Sequence, residues 1–162
     1  MKDLFFPLLD GEFEHFETVV DYDRQNAIEE AIRVAGLKLG ITDFPVWKIP
    51  LLGSGLVTQN VYPVCFHGMV YSGPLPEVLD ELGIMVGLKN LRLADPLTTL
   101  IFIAQMKDKF TGKHFITHFH TPRKFWGVKI EKPSNYTVLD VWESDPDAKW
   151  KEGAHFPSVC DL

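Results

Sequence analysis

The sequence predicts an α+β fold: one globular domain over residues 1–162, mainly antiparallel sheet, with a C-terminal strand meander, one well-capped N-terminal helix and a second short helix. Three observations carry this. Ile28, Ala31, Ile32, Ala35 and Leu39 recur at helical spacing and form one apolar stripe. Residues 114–142 break into short runs rich in Phe, Val, Ile, Tyr and Trp, separated by turn residues. The chain has 162 residues, 46% of them hydrophobic and 23% charged, enough apolar material for one core without disulfide or metal staples.

Taken in order, Phe5–Val20 reads as one or two short strands with an acidic face. Asp23 is placed to cap the first helix, with Lys38 in its last turn and Gly40 in the left-handed position after it. Gly36 inside that helix weakens it by up to ~1 kcal/mol relative to Ala. Pro45, Pro50, Gly53 and Gly55 make residues 41–60 loop-like. Val61–Tyr71 reads as a strand, and Pro63 argues for an edge position. Pro74 and Pro76 lead into a short helix that turns Val78, Leu79 and Leu82 inward and stops at Gly83; residues 84–93 stay unassigned.

Residues 95–110 carry two conflicting signals. Asp95-Pro96 suits a helix start. Leu100-Ile101-Phe102-Ile103 favours a strand, and Lys109-Phe110-Thr111-Gly112 resembles a hairpin turn. The hairpin is the favoured reading. His114–Thr121, Phe125–Ile130 and Tyr136–Trp142 then follow as strands, with turns at Thr121-Pro122 and 132–135. The last twenty residues read as loop with one helical turn.

The formal net charge is −6, which argues against whole-molecule attraction to nucleic acid or to an anionic membrane. No apolar run is long enough to span a membrane. Residues 107–132, however, carry Lys107, Lys109, Lys113, Arg123, Lys124, Lys129 and Lys132 against Asp108 and Glu131. This stretch reads either as a solvated strand face balanced by acidic neighbours or as an anion-binding surface, the one place where nucleic acid could be held. Lys2-Asp3 and the short run Phe5–Leu9 do not make a signal peptide, so a cytoplasmic protein with reduced Cys65 and Cys160 is expected.

The chemistry centres on His114-Phe115-Ile116-Thr117-His118-Phe119-His120. Strand alternation puts His114, His118 and His120 on one face, three of the six histidines in the chain. His118 and His120 lie about 7 Å apart at the backbone and can converge on one ion. A divalent transition metal, zinc first, is the expected cofactor if one is bound; Cys65 and His67 would complete a tetrahedral set were their strand adjacent. Without metal, the same histidines can exchange protons as general acid and base. In the hairpin reading Asp108 lies opposite His114 and tunes it. Arg123 and Lys124 would grip an anion, and Trp126 would stack on a ring.

Two functional expectations follow. The first is a small enzyme acting on an anionic, nucleotide-like small molecule, hydrolysis first and lyase chemistry second. His114, His118, His120 and Asp108 would be catalytic, and Arg123, Lys124 and Trp126 would bind substrate. The second is a non-catalytic binding or assembly protein, an inhibitor or a subunit of a homo-oligomer or larger particle, suggested by twelve Phe and four Trp. The absence of a Cys-x-x-Cys pair, a phosphate loop, a dinucleotide fingerprint or a Gly-x-Ser-x-Gly elbow excludes the strongest motif-based activities.

Overall fold

A computed structural model of the chain describes residues 14–39, 44–66, 70–106, 113–122, 124–131, 137–145, 147–150 and 153–161. The strands are β1 (Phe16–Asp21), β2 (Leu37–Leu39), β3 (Leu56–Cys65), β4 (Val70–Tyr71), β5 (Lys89–Leu93), β6 (His114–His120), β7 (Phe125–Glu131), β8 (Thr137–Glu143), β9 (Lys149–Trp150) and β10 (Ala154–Asp161). The helices are α1 (Ala27–Ala35), α2 (Leu75–Val86) and α3 (Pro96–Met106), and a 3-10 turn covers Val46–Lys48.

One eight-stranded sheet runs in the order β1-β3-β10-β6-β7-β8-β2, with β5 added alongside β10. β4 and β9 form a separate two-stranded ribbon. The meander β6-β7-β8 is antiparallel, as its sequence suggests. The sheet as a whole is mixed, because β6 pairs in parallel with β10 and β2 in parallel with β8.

Both faces of the sheet are covered. On one face α1 and α3 pack over Val20, Val61, Phe115, Phe119, Trp126, Val128, Ile130, Leu139, Val141 and Val159. On the other, α2 packs over Tyr62, Val64, Phe66, Leu91, Ile116, Ala154 and Phe156. Successive residues of a strand serve opposite faces, so each central strand feeds both cores.

Several elements differ from the sequence reading. α1 begins after Asn26, a left-handed residue with φ 54°, and no side chain caps it; the backbone N–H of Asp23 bonds to the Asp21 carboxylate instead. The helix ends at Gly36, whose φ of 68° lets its N–H reach back to the Arg33 carbonyl, so Leu37–Leu39 is free to pair as β2. α2 runs through Gly83 to Gly87, where φ is 79°. Gly83 marks a close approach rather than a stop: a methyl group there would stand 2.7 Å from the Leu88 carbonyl oxygen.

The hairpin over 95–110 is overturned. Pro96–Met106 is helix, with Thr98 N–H donating to the Asp95 carboxylate at its start. Leu97, Leu100 and Phe102 are fully buried there. A helix enclosed by the protein carries β-branched and aromatic residues all round, and burial outweighs their strand preference. Gln105 ties the helix end to β1, donating to the Glu17 carbonyl and accepting from the Thr18 hydroxyl.

The C-terminal segment read as loop is β10, a central strand. It is buried on both sides from Ala154 to Val159, so it shows no polar–apolar alternation. Pro63 lies inside the sheet and faces Pro157 in register. The Ala94 N–H donates to the Pro157 carbonyl, so Pro157 turns its polar groups away from β3. The two prolines thus meet at a non-hydrogen-bonded pair and cost no ladder bond between them. Ala94 also accepts from the buried Thr117 hydroxyl at 2.6 Å, filling the gap where β6 and β10 diverge.

Candidate functional site

The His strand sits between β10 and β7, and its histidines share the α2 side of the sheet with Ile116. In register, His114 faces Glu131, His118 faces Gly127 and His120 faces Phe125 across to β7. Gly127 in turn faces Trp142 of β8. A methyl group at Gly127 would stand 2.7 Å from the Trp142 ring, so the missing side chain lets that indole lie across β7 toward His118.

The β4–β9 ribbon closes over this row. Val70 pairs with Trp150, and the Ser72 N–H bonds to the Ala148 carbonyl. The Trp150 ring packs 5.6 Å from Trp142 and 6.1 Å from His118. The Trp150 Nε1–H donates to Ser72 Oγ at 2.8 Å, and Ser72 Oγ lies 3.2 Å from His118 Nε2. Ser72 is buried and has one proton to give. The tautomer that satisfies it leaves His118 Nε2 unprotonated, as acceptor, and puts the ring proton on Nδ1.

His118 also stacks on Phe125, centroids 4.7 Å apart, and keeps part of its surface open to solvent. Burial, then the neighbouring His120, holds its pKa down to about 4. It is therefore neutral near pH 7 and able to accept a proton. His120 is exposed, its ring 4.8 Å from Phe125. His114 stands apart, its pKa lowered by burial and then by Lys129.

The other expected site residues are dispersed. Trp126 lies on the opposite face, stacked on Phe119, with its indole N–H donating to the Thr121 hydroxyl. It is a core residue on the side away from His118. Lys124 is ion-paired with Glu143 at 3.1 Å and sits over the Trp126 ring. Lys129 is ion-paired with Glu131. Cys65 is separated from β6 by β10 and alternates with Val64 and Phe66, which places it on the α1–α3 side. It is not brought to His118 and His120. Asp108, Arg123 and His67 lie outside the described residues. The proposed facing of Asp108 and His114 required the hairpin; β7 and β10 occupy both flanks of His114 instead. Among the described residues no group of three His, Cys, Asp or Glu could hold a metal ion.

Comparison with protein-family models, with curated proteins and with solved structures finds no match. Nor is any helix among the described residues long and apolar enough to cross a membrane.

Sequence reasoning missed Ser72 and Trp150. Both belong to the ribbon or the turn that follows it, and its two-residue strands are separated by six other elements. The one local signal was Ser72-Gly73-Pro74 between a β-rich run and a helix.

Proposed function

We propose that this protein is a small hydrolytic enzyme whose acid–base group is His118. The observation that carries the reading is the Ser72–His118 hydrogen bond, in which a histidine neutral near pH 7 meets a hydroxyl at 3.2 Å. An imidazole that burial keeps unprotonated, partly open to solvent, is free to accept a proton at neutral pH, and its low pKa makes it a strong acid for returning that proton to a leaving group. His120, exposed on the same face, is the second proton-exchanging group. Anionic, nucleotide-like small molecules are the proposed substrates, on the strength of the positive balance of residues 107–132. Lyase chemistry at the same base is the second reaction class. A divalent metal, zinc first, would need His118, His120 and a third ligand from outside the described residues, such as His67; elemental analysis of wild type against His120→Ala tests it.

The test is hydrolysis of chromogenic phosphoesters and carboxylic esters by wild type, His118→Gln and His120→Ala, with circular dichroism as the fold control. A loss of about 100-fold or more in His118→Gln supports general-base catalysis. No hydrolysis by wild type, or full activity in both variants, overturns it.

A second reading, self-assembly, rests on exposed apolar side chains. Ile84 is 72% exposed, Met85 61% and Leu56 73%. The proposed occupant is a second copy of the chain. Sedimentation of wild type against Ile84→Glu/Met85→Glu tests it; a wild-type monomer at all concentrations ends it.

A further inference from the structure

We infer that Ser72 is a nucleophile that takes an acyl group from a carboxylic ester; this rests on the assignment of His118 as the base. Three features place it in that role. Its hydroxyl oxygen lies 3.2 Å from His118 Nε2, within reach for proton transfer. The Trp150 indole N–H holds the same oxygen at 2.8 Å, and that donor has no proton-accepting alternative role. It leaves one oxygen lone pair for attack and stabilises negative charge on Oγ as the proton departs. Finally, Ser72 stands in the turn between β4 and α2, three residues ahead of the first helical residue Leu75, with its backbone fixed by Ala148. A nucleophile between strand and helix is held by both elements.

The surroundings select the substrate. Trp142, Trp150 and Phe125 make the walls aromatic. Of the described cations around the His strand, Lys124 and Lys129 are ion-paired with Glu143 and Glu131, Lys149 lies over the Tyr71 ring, and Lys113 is exposed just before β6, five residues from His118. A phosphoryl group reacting at Ser72 would need cations there to offset its charge, so the reacting bond is assigned to a carboxylic ester and any anionic part of the substrate to a point away from Ser72. A neutral ester carbonyl does not, and the apolar walls suit it.

The steps balance as follows. Ser72 passes its hydroxyl proton to His118 Nε2, and its oxygen attacks the ester carbonyl carbon. The carbonyl π pair moves to oxygen and returns as the carbon–alkoxy bond breaks. The departing alkoxide takes the proton from His118 and leaves as alcohol, with the acyl group on Ser72. Water then gives a proton to His118 and attacks the acyl carbon. Ser72 leaves with that proton, and a carboxylic acid is released. The sum is ester plus water to acid plus alcohol. Trp150 is a positioning residue throughout.

The experiment is intact-protein and peptide mass spectrometry after incubation with an alkyl fluorophosphonate, beside a stopped-flow trace with p-nitrophenyl acetate. Wild type should gain one adduct, mapped to Ser72, and release a burst of nitrophenolate of about one equivalent. Ser72→Ala should lose both. His118→Gln should label at least about 100-fold more slowly, and Trp150→Phe should label more slowly with the pH midpoint of labelling unchanged. A wild-type adduct at Ser72 supports the inference whichever ester is turned over best. His118-dependent hydrolysis with no adduct, and undiminished in Ser72→Ala, overturns the nucleophile while leaving the acid–base reading standing. Neither labelling nor hydrolysis overturns both. Ser72→Cys, close in shape, serves if Ser72→Ala fails to fold: alkylation of that cysteine by iodoacetamide no faster than of a cysteine control peptide also overturns the role.

Discussion

Ser72 and His118 are 46 residues apart in the chain and meet at 3.2 Å because the β4–β9 ribbon folds over a gap in the sheet opened by Gly127. The hydrogen bond joins the ribbon to the central meander, and burial of the imidazole makes the joint sensitive to pH.

The folded pKa of His118 is about 4, below the ordinary value of 6.5. Between those values the unfolded chain binds the proton and the folded one does not. Stability is therefore fully present above about pH 6.5 and lost as pH falls toward 4. The loss from this group is on the order of 3 kcal/mol at most. Urea unfolding at pH 7.5, 5.5 and 4.5 should show the midpoint falling, and His118→Gln should flatten that part of the profile. An unchanged slope in the variant would assign the pH dependence to other groups, His114 first.

Gly127→Ala should be destabilising by about 1–3 kcal/mol. The added methyl group would meet the Trp142 ring at 2.7 Å, and that ring is braced by Trp150. The indole can move only by disturbing the ribbon. A shift in tryptophan emission together with a lower urea midpoint is the expected result.

Tyr22→Phe should cost about 1–3 kcal/mol. The Tyr22 hydroxyl donates to the Asp95 carboxylate at 3.0 Å and lies 3.0 Å from the Thr98 hydroxyl, while Gln59 donates to it at 3.1 Å. Removing it leaves these groups short of partners at the start of α3. Thermal unfolding of the variant checks this, and hydrolytic activity should be unaffected, since Tyr22 packs on the α1–α3 side.

Phe102→Ala should cost about 3–5 kcal/mol. Phe102 is fully buried and its ring meets Phe16 and Phe115 at 5.8 and 6.2 Å. Were 102 an exposed strand residue, as in a hairpin, the change would be nearly neutral. Chemical denaturation separates the two.

Much of the fold was legible locally. The stripe Ile28-Ala31-Ile32-Ala35 forms α1, and the meander β6-β7-β8 follows the alternation of its residues. The shared face of His114, His118 and His120 also follows from period two. What misled was burial on both sides. Leu100–Ile103 looks like a strand because it is apolar all round, and β10 looks like loop because its proline and polar residues are accommodated by particular neighbours. Trp126 was placed with the basic residues that precede it, yet one step of alternation sends it to the far core.

The sequence by itself determined which residues share a face along α1 and along the meander β6-β7-β8, because that depends on spacing within a few residues. Only the tertiary structure decided what stands opposite each face. The partner of His118 comes from the turn after a two-residue strand, and no local propensity specifies which distant hydroxyl a buried imidazole will meet. That pairing is set by packing: Gly127 leaves room, Trp142 and Trp150 fill it, and the ribbon carries Ser72 to within 3.2 Å of His118 Nε2.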